Sequence, residues 1–330
     1  VYNNVSNPSA INRTVFDGVT MFSEDLREAG YNLAYAGKWH VSDVENPEDR
    51  GWTELLVRAR TGSYMHTGIS RWSEKRFETP TERGYGQILR PGWGPIQLFG
   101  TYETDTEYPY ESHPDYAVVK SALDALPDLA AQDEPWCLYV GTIGPHDDFV
   151  VPQHYADMYD LDDVELPPNY GDAMRDKPGL YQRMRDQYWS QFSEEEVRDC
   201  LRHYWAYCTM EDDLFGLLLD KLDEVGQVDN TLVIFMSDHG EYCGSHGIYC
   251  KGVPSFREAY HVPTIMRYPQ GIDAPGREEG AFVTLADFAP TFVELAGLPV
   301  PEDLTGKSLV PFLKQESPDD WRDTVFTQCN

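Results

Sequence analysis

Val15, Val19, Phe22 and Leu26 recur at helical spacing and Gly30 follows as a stop, which predicts a helix over 15–26. A short strand-like run over 32–36 comes next and ends in Gly37-Lys38-Trp39-His40. Residues 116–129 again carry a helical period, with Pro127 predicted to end or bend the helix because it has no N–H to donate. The continuous apolar run over 136–143 has strand length and closes in Gly144-Pro145-His146-Asp147-Asp148. Ser193 and Glu196 form a capping box that opens a long helix reaching about Val225, where Gly226 stops it. Asp229-Asn230 turns the chain into the clearest strand, 231–236, which ends in Ser237-Asp238-His239-Gly240-Glu241. A last helix-like segment covers 284–295 before Gly297, with a kink predicted at Pro290.

Helices alternating with unbroken apolar strands predict an α/β fold, a mostly parallel central sheet sandwiched between helices. Two stretches break the rhythm. Residues 42–113 and 150–192 are polar, aromatic and rich in Gly and Pro, and read as loop-rich insertions facing a substrate. No internal repeat or low-complexity tract is evident.

Composition narrows the class. The 330 residues are 41% hydrophobic and 13% aromatic, ample for a large core and incompatible with disorder. Twenty-six Lys and Arg against 56 Asp and Glu leave a formal charge of −30, which repels phosphate backbones and anionic lipids, so nucleic acid and membrane partners are not expected. No apolar run approaches the ~18–20 residues that span a bilayer. Six Cys in a chain this long do not make a disulfide scaffold. Val1-Tyr2-Asn3-Asn4 resembles neither a translation start nor a signal peptide, and 323–330 reads as a strand just beginning, so the chain is expected to be truncated at both ends.

Three strands end in charged or metal-capable residues: Lys38 and His40, then His146, then Asp238 and His239. In open α/β sheets the ligand site lies beyond the carboxyl ends of the strands, so these groups are expected to converge. Asp238 and His239 pair an oxygen ligand with an imidazole where a strand stops, and on an irregular turn both can face one cation. His246, on the Gly-rich loop 244–247, and Lys251 return further proton-bearing or positive groups. With Lys38 they form a local cationic pocket suited to a sulfate or phosphate ester.

These motifs resemble the type I sulfatases of the alkaline-phosphatase superfamily. Gly37-Lys38-Trp39-His40, Pro145-His146-Asp147-Asp148-Phe149, and Ser237-Asp238-His239-Gly240-Glu241 with Lys251 and Glu258 are similar to that family's signatures. So are Asp287-Phe288-Ala289-Pro290-Thr291, Ala296-Gly297-Leu298-Pro299 and Gly306-Lys307-Ser308-Leu309, and the resemblance runs in order from about 15 to 313. It implies an incomplete catalytic domain over 1–313, with 314–330 a linker and the start of a C-terminal subdomain. It further implies Asp238 and His239 as ligands of Ca2+ (alternatively Mg2+ or Mn2+), with Glu241 and His246 as supporting residues. Lys38 and Lys251 would contact the sulfate oxygens, His146 the bridging oxygen, and His40 would be the base that breaks down the sulfated intermediate.

The family's nucleophile is a formylglycine made within Cys/Ser-x-Pro-x-Arg, and no such motif occurs in the 330 residues. Ser6-Asn7-Pro8-Ser9 imitates it but has Ala10 in place of Arg. The activity implied is therefore that of the intact parent, a sulfuric ester hydrolase acting on a sulfated carbohydrate, with the piece by itself inactive. One alternative is a phosphonate monoester or phosphodiester hydrolase of the same superfamily. Another is a non-catalytic carbohydrate-binding relative, in which Trp52, Trp72, Trp93, Tyr102, Tyr108 and Tyr110 would stack on sugar rings. Cys243 and Cys250 would form a disulfide or remain two thiols. The resemblance favours a periplasmic or extracellular setting.

Overall fold

The computed structural model describes Val15 and residues 18–42, 44–58, 82–90 and 94–326. The chain runs through α1 (Phe22–Glu28), β1 (Asn32–Lys38), β2 (Thr53–Arg58), β3 (Gln87–Arg90), β4 (Gly94–Gln97) and β5 (Phe99–Tyr102). It continues through α2 (Pro114–Ala130), β6 (Trp136–Gly141), β7 (Phe149–Pro152), α3 (Gly179–Gln187) and α4 (Glu194–Glu224). It ends with β8 (Val233–Met236), β9 (Thr264–Arg267) and α5 (Phe288–Leu295), with single helical turns between some of these.

The organising element is β1, whose residues 33–37 are buried on both faces. It lies between β2 and β6, parallel to each, in the order β2-β1-β6. Side chains alternate across a strand, so β1 presents two surfaces. Leu33 and Tyr35 pack with Leu26 of α1, Trp39, Trp52 and Phe292 of α5. On the opposite face Ala36 packs against Val118 and Ala122 of α2, with Leu138 and Val140 of β6 and Leu218 of α4 nearby. The result is the layered helix–sheet–helix arrangement that the alternating pattern implies.

The capping box forms as read: Ser193 Oγ accepts the Glu196 N–H at 3.2 Å, and Glu196 returns a carboxylate to the Ser193 N–H at 3.0 Å. From it α4 runs 31 residues, and its buried face carries the largest core cluster, including Cys200, Tyr207 and Met210.

Several expectations need correction. The first helix begins at Phe22; Val15 is instead a buried bridge residue, so its place in the apolar series reflects burial and not helix. Pro127 neither ends nor visibly interrupts α2, which continues to Ala130. It stands close enough to the helix end to lose little, and buried Leu126 and Leu129 hold the last turn in the core. Pro290 is the third residue of α5, where an absent N–H is no loss. The insertion 42–113 contains β2 to β5, and 150–192 contains part of β7 and all of α3. Their short strands pair with distant partners, β2 with β1 and β5 with β7, so local periodicity is too brief to show them. The strand after α4 pairs antiparallel with β9 and, among the described residues, makes no ladder with the parallel sheet.

Candidate active site

β1 and β6 finish side by side, with Gly37 opposite Gly141 in register. Gly37 has φ +109°, and a Cβ there would stand 1.9 Å from the Gly141 carbonyl oxygen. Only glycine permits this close approach. It sets Lys38 beside the turn that leads from β6 to His146.

At the end of β8, Asp238 accepts a 3.1 Å ion pair from Lys38 Nζ. The His239 ring lies edge-on to His146, with centroids 5.4 Å apart. Lys251 Nζ donates to His146 Nε2 in a close hydrogen bond, so His146 Nδ1 carries the ring proton. That proton faces the Asp147 carbonyl at 2.7 Å and its carboxylate at 3.0 Å. Asp147 in turn lies 3.9 Å from Lys251 Nζ. His40 stands within electrostatic reach of Lys38, Asp238, Lys251 and His146. The predicted set Lys38, His40, His146, Asp238, His239 and Lys251 is thus gathered in one place.

The charges tune one another. Burial, reinforced by the Lys38 ammonium, lowers the His40 pKa below its ordinary value, and burial likewise lowers that of His239. Burial opposes ionisation of Asp238, but Lys38 and His239 outweigh it and hold the carboxyl below its usual range. The same contest at Asp147 is won decisively by His146 and Lys251. Glu241 goes the other way: burial, then the Asp147 charge, pushes it up to about 8. Its Oε1 accepts the N–H groups of Cys243, at 3.3 Å, and of Cys250, in a closer bond. Glu241 therefore pins the loop that carries Lys251.

His239 Nδ1 donates to the Gly240 carbonyl at 2.9 Å, which leaves Nε2 as a free lone pair 3.7 Å from Asp238 Oδ1. An imidazole nitrogen and a carboxylate oxygen at that separation fit two positions around one divalent cation. Asp147, Glu241 and Cys250 also bring ligand atoms within 4.8 Å of one another. That second set fits a cation less well, because the Cys250 thiol is pushed well above its ordinary pKa by burial and by Asp147, and Glu241 Oε1 already accepts two amides.

His246 does not join the group. Its Nδ1 meets Asp172 Oδ2 at 2.7 Å, its Nε2 meets Asn169 Nδ2 at 3.1 Å, and its ring stacks on Phe256 at 3.7 Å. Cys243 and Cys250 are two separate thiols. Ser6, Trp72 and Trp93 lie outside the described residues. Of the aromatic residues read as sugar platforms, Trp52 is buried in the core beside Tyr35, while Tyr108 and Tyr110 stack on each other at 5.6 Å. Sequence reasoning passed over Asp147, which orients His146, and Asp115, which lies under the same turn. Their signal is only positional, an acid next to a strand-end His and an acid opening a helix.

The sequence profile of the Sulfatase family matches residues 15–298. The chain is 39% identical over 349 aligned residues to an N-acetylglucosamine-6-O-sulfatase of Bacteroides thetaiotaomicron, covering 96% of this chain and 61% of that protein. It is 26% identical over 307 residues to an ulvan-active sulfatase of Formosa agariphila, covering 92% and 51% respectively. It spans about half to three-fifths of the length of these relatives. Among solved structures, a phosphonate monoester hydrolase from Silicibacter pomeroyi superposes with TM-score 0.73 at 24% identity over 97% of this chain and 65% of that one. A putative sulfatase from Bacteroides thetaiotaomicron superposes with TM-score 0.65 at 20% identity, covering 97% and 62%. At such identities these likenesses concern the fold. The family follows from the sequence profile, which covers most of the chain and every strand-end motif of the site: the chain belongs to the sulfatase family.

Proposed function

We propose that this chain supplies the binding and proton-transfer residues of a sulfuric ester hydrolase acting on a sulfated carbohydrate. The observation that supports it most is the meeting of Lys38, His146, Asp238, His239 and Lys251 at the ends of three strands. The likeness to a curated N-acetylglucosamine-6-O-sulfatase supports the sugar ester as substrate class.

Lys38 and Lys251 bind and orient the ester's anionic oxygens, and both ammonium groups neutralise charge that grows in the transition state. His146 is held by Asp147 on one nitrogen and presents the other, shared with Lys251, to the leaving oxygen. As the S–O bond breaks, that oxygen takes up a proton which Lys251 Nζ passes to His146 Nε2 and the ring relays, and the Asp147 carboxylate stabilises the ring's transient positive form. His40, neutral at pH 7 because its pKa is lowered, accepts a proton in the second half of the reaction. Asp238 and His239 would hold a divalent cation, Ca2+ or alternatively Mg2+ or Mn2+. When bound, that cation supplies Lewis-acid polarisation of the ester, and a formylglycine outside these 330 residues supplies the nucleophile. Export to the periplasm or beyond the cell accompanies this reading; among the described residues no helix is long and apolar enough to cross a membrane.

The phosphonate monoester reading rests on the Asp238-His239 pair, which such hydrolases can share. Rates of the full-length protein on 4-nitrophenyl sulfate, on N-acetylglucosamine 6-sulfate and on a phenyl phosphonate monoester separate the two. Larger kcat/KM for the sulfates is expected; a larger value for the phosphonate overturns the proposal.

A further inference from the structure

Beneath the His146 turn lies a carboxylate to which no role has been given. Asp115 opens α2 and its side chain is 1% exposed. An acid in the first turn of a helix ordinarily serves that helix's own amides or its dipole. The hydrogen bonds of the Asp115 side chain go outside its helix. Its Oδ1 accepts the Ile143 N–H at 3.0 Å and its Oδ2 accepts the Gly144 N–H at 2.9 Å. Oδ2 also accepts the Tyr207 hydroxyl of α4 at 3.0 Å. His113 Nδ1 accepts the Asp115 N–H at 3.2 Å, so that nitrogen is not one of the carboxylate's donors.

Ile143 and Gly144 are the first residues of the turn whose last is His146, and the His146 N–H closes that turn on the Ile143 carbonyl at 3.1 Å. The seat is tight. A Cβ on Gly144 would stand 2.3 Å from the Tyr207 ring and 2.4 Å from Glu211 Oε1. Burial, and then the Asp115 charge, raise the Glu211 pKa well above its ordinary value. The Asp115 side chain is thus held by three donors, and two of them are the backbone of the loop that aims His146. His113, Asp115 and Glu211 bring ligand atoms within 4.8 Å, but both Asp115 oxygens are already taken by N–H and O–H groups.

We propose that Asp115 is the positioning residue of the His146 turn, clamping the Ile143 and Gly144 amides so that His146 Nε2 faces the leaving oxygen. The inference rests on the reading of His146 as proton donor to that oxygen. It touches no substrate and acts only through the turn. Asparagine has nearly the same shape but one acceptor oxygen; its NH2 would face an N–H or an O–H.

The test compares esters whose need for that proton differs. In the full-length protein, Asp115→Asn is expected to lower kcat about 100-fold on N-acetylglucosamine 6-sulfate, whose alkoxide leaves poorly, and less than about 10-fold on 4-nitrophenyl sulfate. KM should stay within about 3-fold on each. Tyr207→Phe, which removes one donor and keeps the carboxylate, is expected to shift the same ratio in the same direction by less. Equal losses on the two esters, in protein with wild-type circular dichroism, overturn the proposal. Should Asp115→Asn not fold, the Tyr207→Phe ratio decides. A wild type inert towards sulfate esters overturns the functional reading but not the clamp. The clamp is then judged by hydrogen exchange of the Ile143 and Gly144 amides, which must quicken in Tyr207→Phe; unchanged exchange overturns it.

Discussion

Lys251 is bonded to His146 and near Asp147, so its removal strips both a positive charge and the partner that sets the His146 tautomer. Lys251→Ala in the full-length protein is expected to lower kcat by about 100- to 1,000-fold with a smaller change in KM, measured on 4-nitrophenyl sulfate. His40 sets the acid limb. Its pKa is lowered from 6.5, so it stays neutral on acidification past the usual histidine range, and kcat should fall only below about pH 6.5. His40→Asn should flatten that limb. At this scale the gathering of side chains was readable where a residue follows the end of an apolar strand, as Lys38, His146 and Asp238 do. Asp115 was not readable, because its partners Ile143, Gly144 and Tyr207 come together only in the fold. His246 misled for the complementary reason: a glycine-rich loop following a metal-capable strand implies proximity, and Asp172 and Asn169 turn the ring elsewhere.

Elements are held in place by a few buried polar joints. Glu196, at the start of α4, takes a two-pronged ion pair from Arg83 and the N–H of Gly86 at 3.2 Å, fastening the segment before β3 to the long helix. Burial works against this carboxylate, yet Arg83 and the amides prevail and lower its pKa from 4.5 to about 2. A depressed carboxyl pKa stabilises the fold above the unfolded value and loses that contribution as pH falls. The window is therefore about pH 4.5 down to 2, and the loss about 3 kcal/mol. Glu196→Gln should remove this slope from urea denaturation midpoints taken across that window. β1 and β6 meet through glycine, and Gly37→Ala is expected to cost about 2–3 kcal/mol by the same method, since its Cβ would displace the Gly141 carbonyl. Long periodic elements such as α4 were legible with their caps. Short strands such as β2 and β5 were not, because a ladder with a distant partner forms them and no local pattern does.

Over the molecule as a whole, α4 underlies two pieces of sheet that share no hydrogen-bond ladder among the described residues. Leu218 packs beneath β6, and Phe215 meets Phe235 of β8 at 5.1 Å. Among the described residues β6, β8 and β9 each have one edge without a strand partner, and Tyr139 of β6 is 41% and Ile265 of β9 62% exposed. Residues 1–330 produced alone are therefore expected to bind an apolar dye such as ANS and to melt over a broad range; a sharp melt without dye binding would contradict this. The α/β class was legible from alternation, whereas the antiparallel turn of β9 against β8 had no signature in a four-residue run.

The hold of His246 on Asp172 and Asn169 fastens the Lys251 loop to the insertion that sequence reasoning assigned to substrate choice. Anyone retargeting such an enzyme by transplanting residues 150–192 from a relative inherits that linkage. A donor loop lacking the amide and the acid at these two places would, in the same stroke, unmoor the loop that carries Lys251.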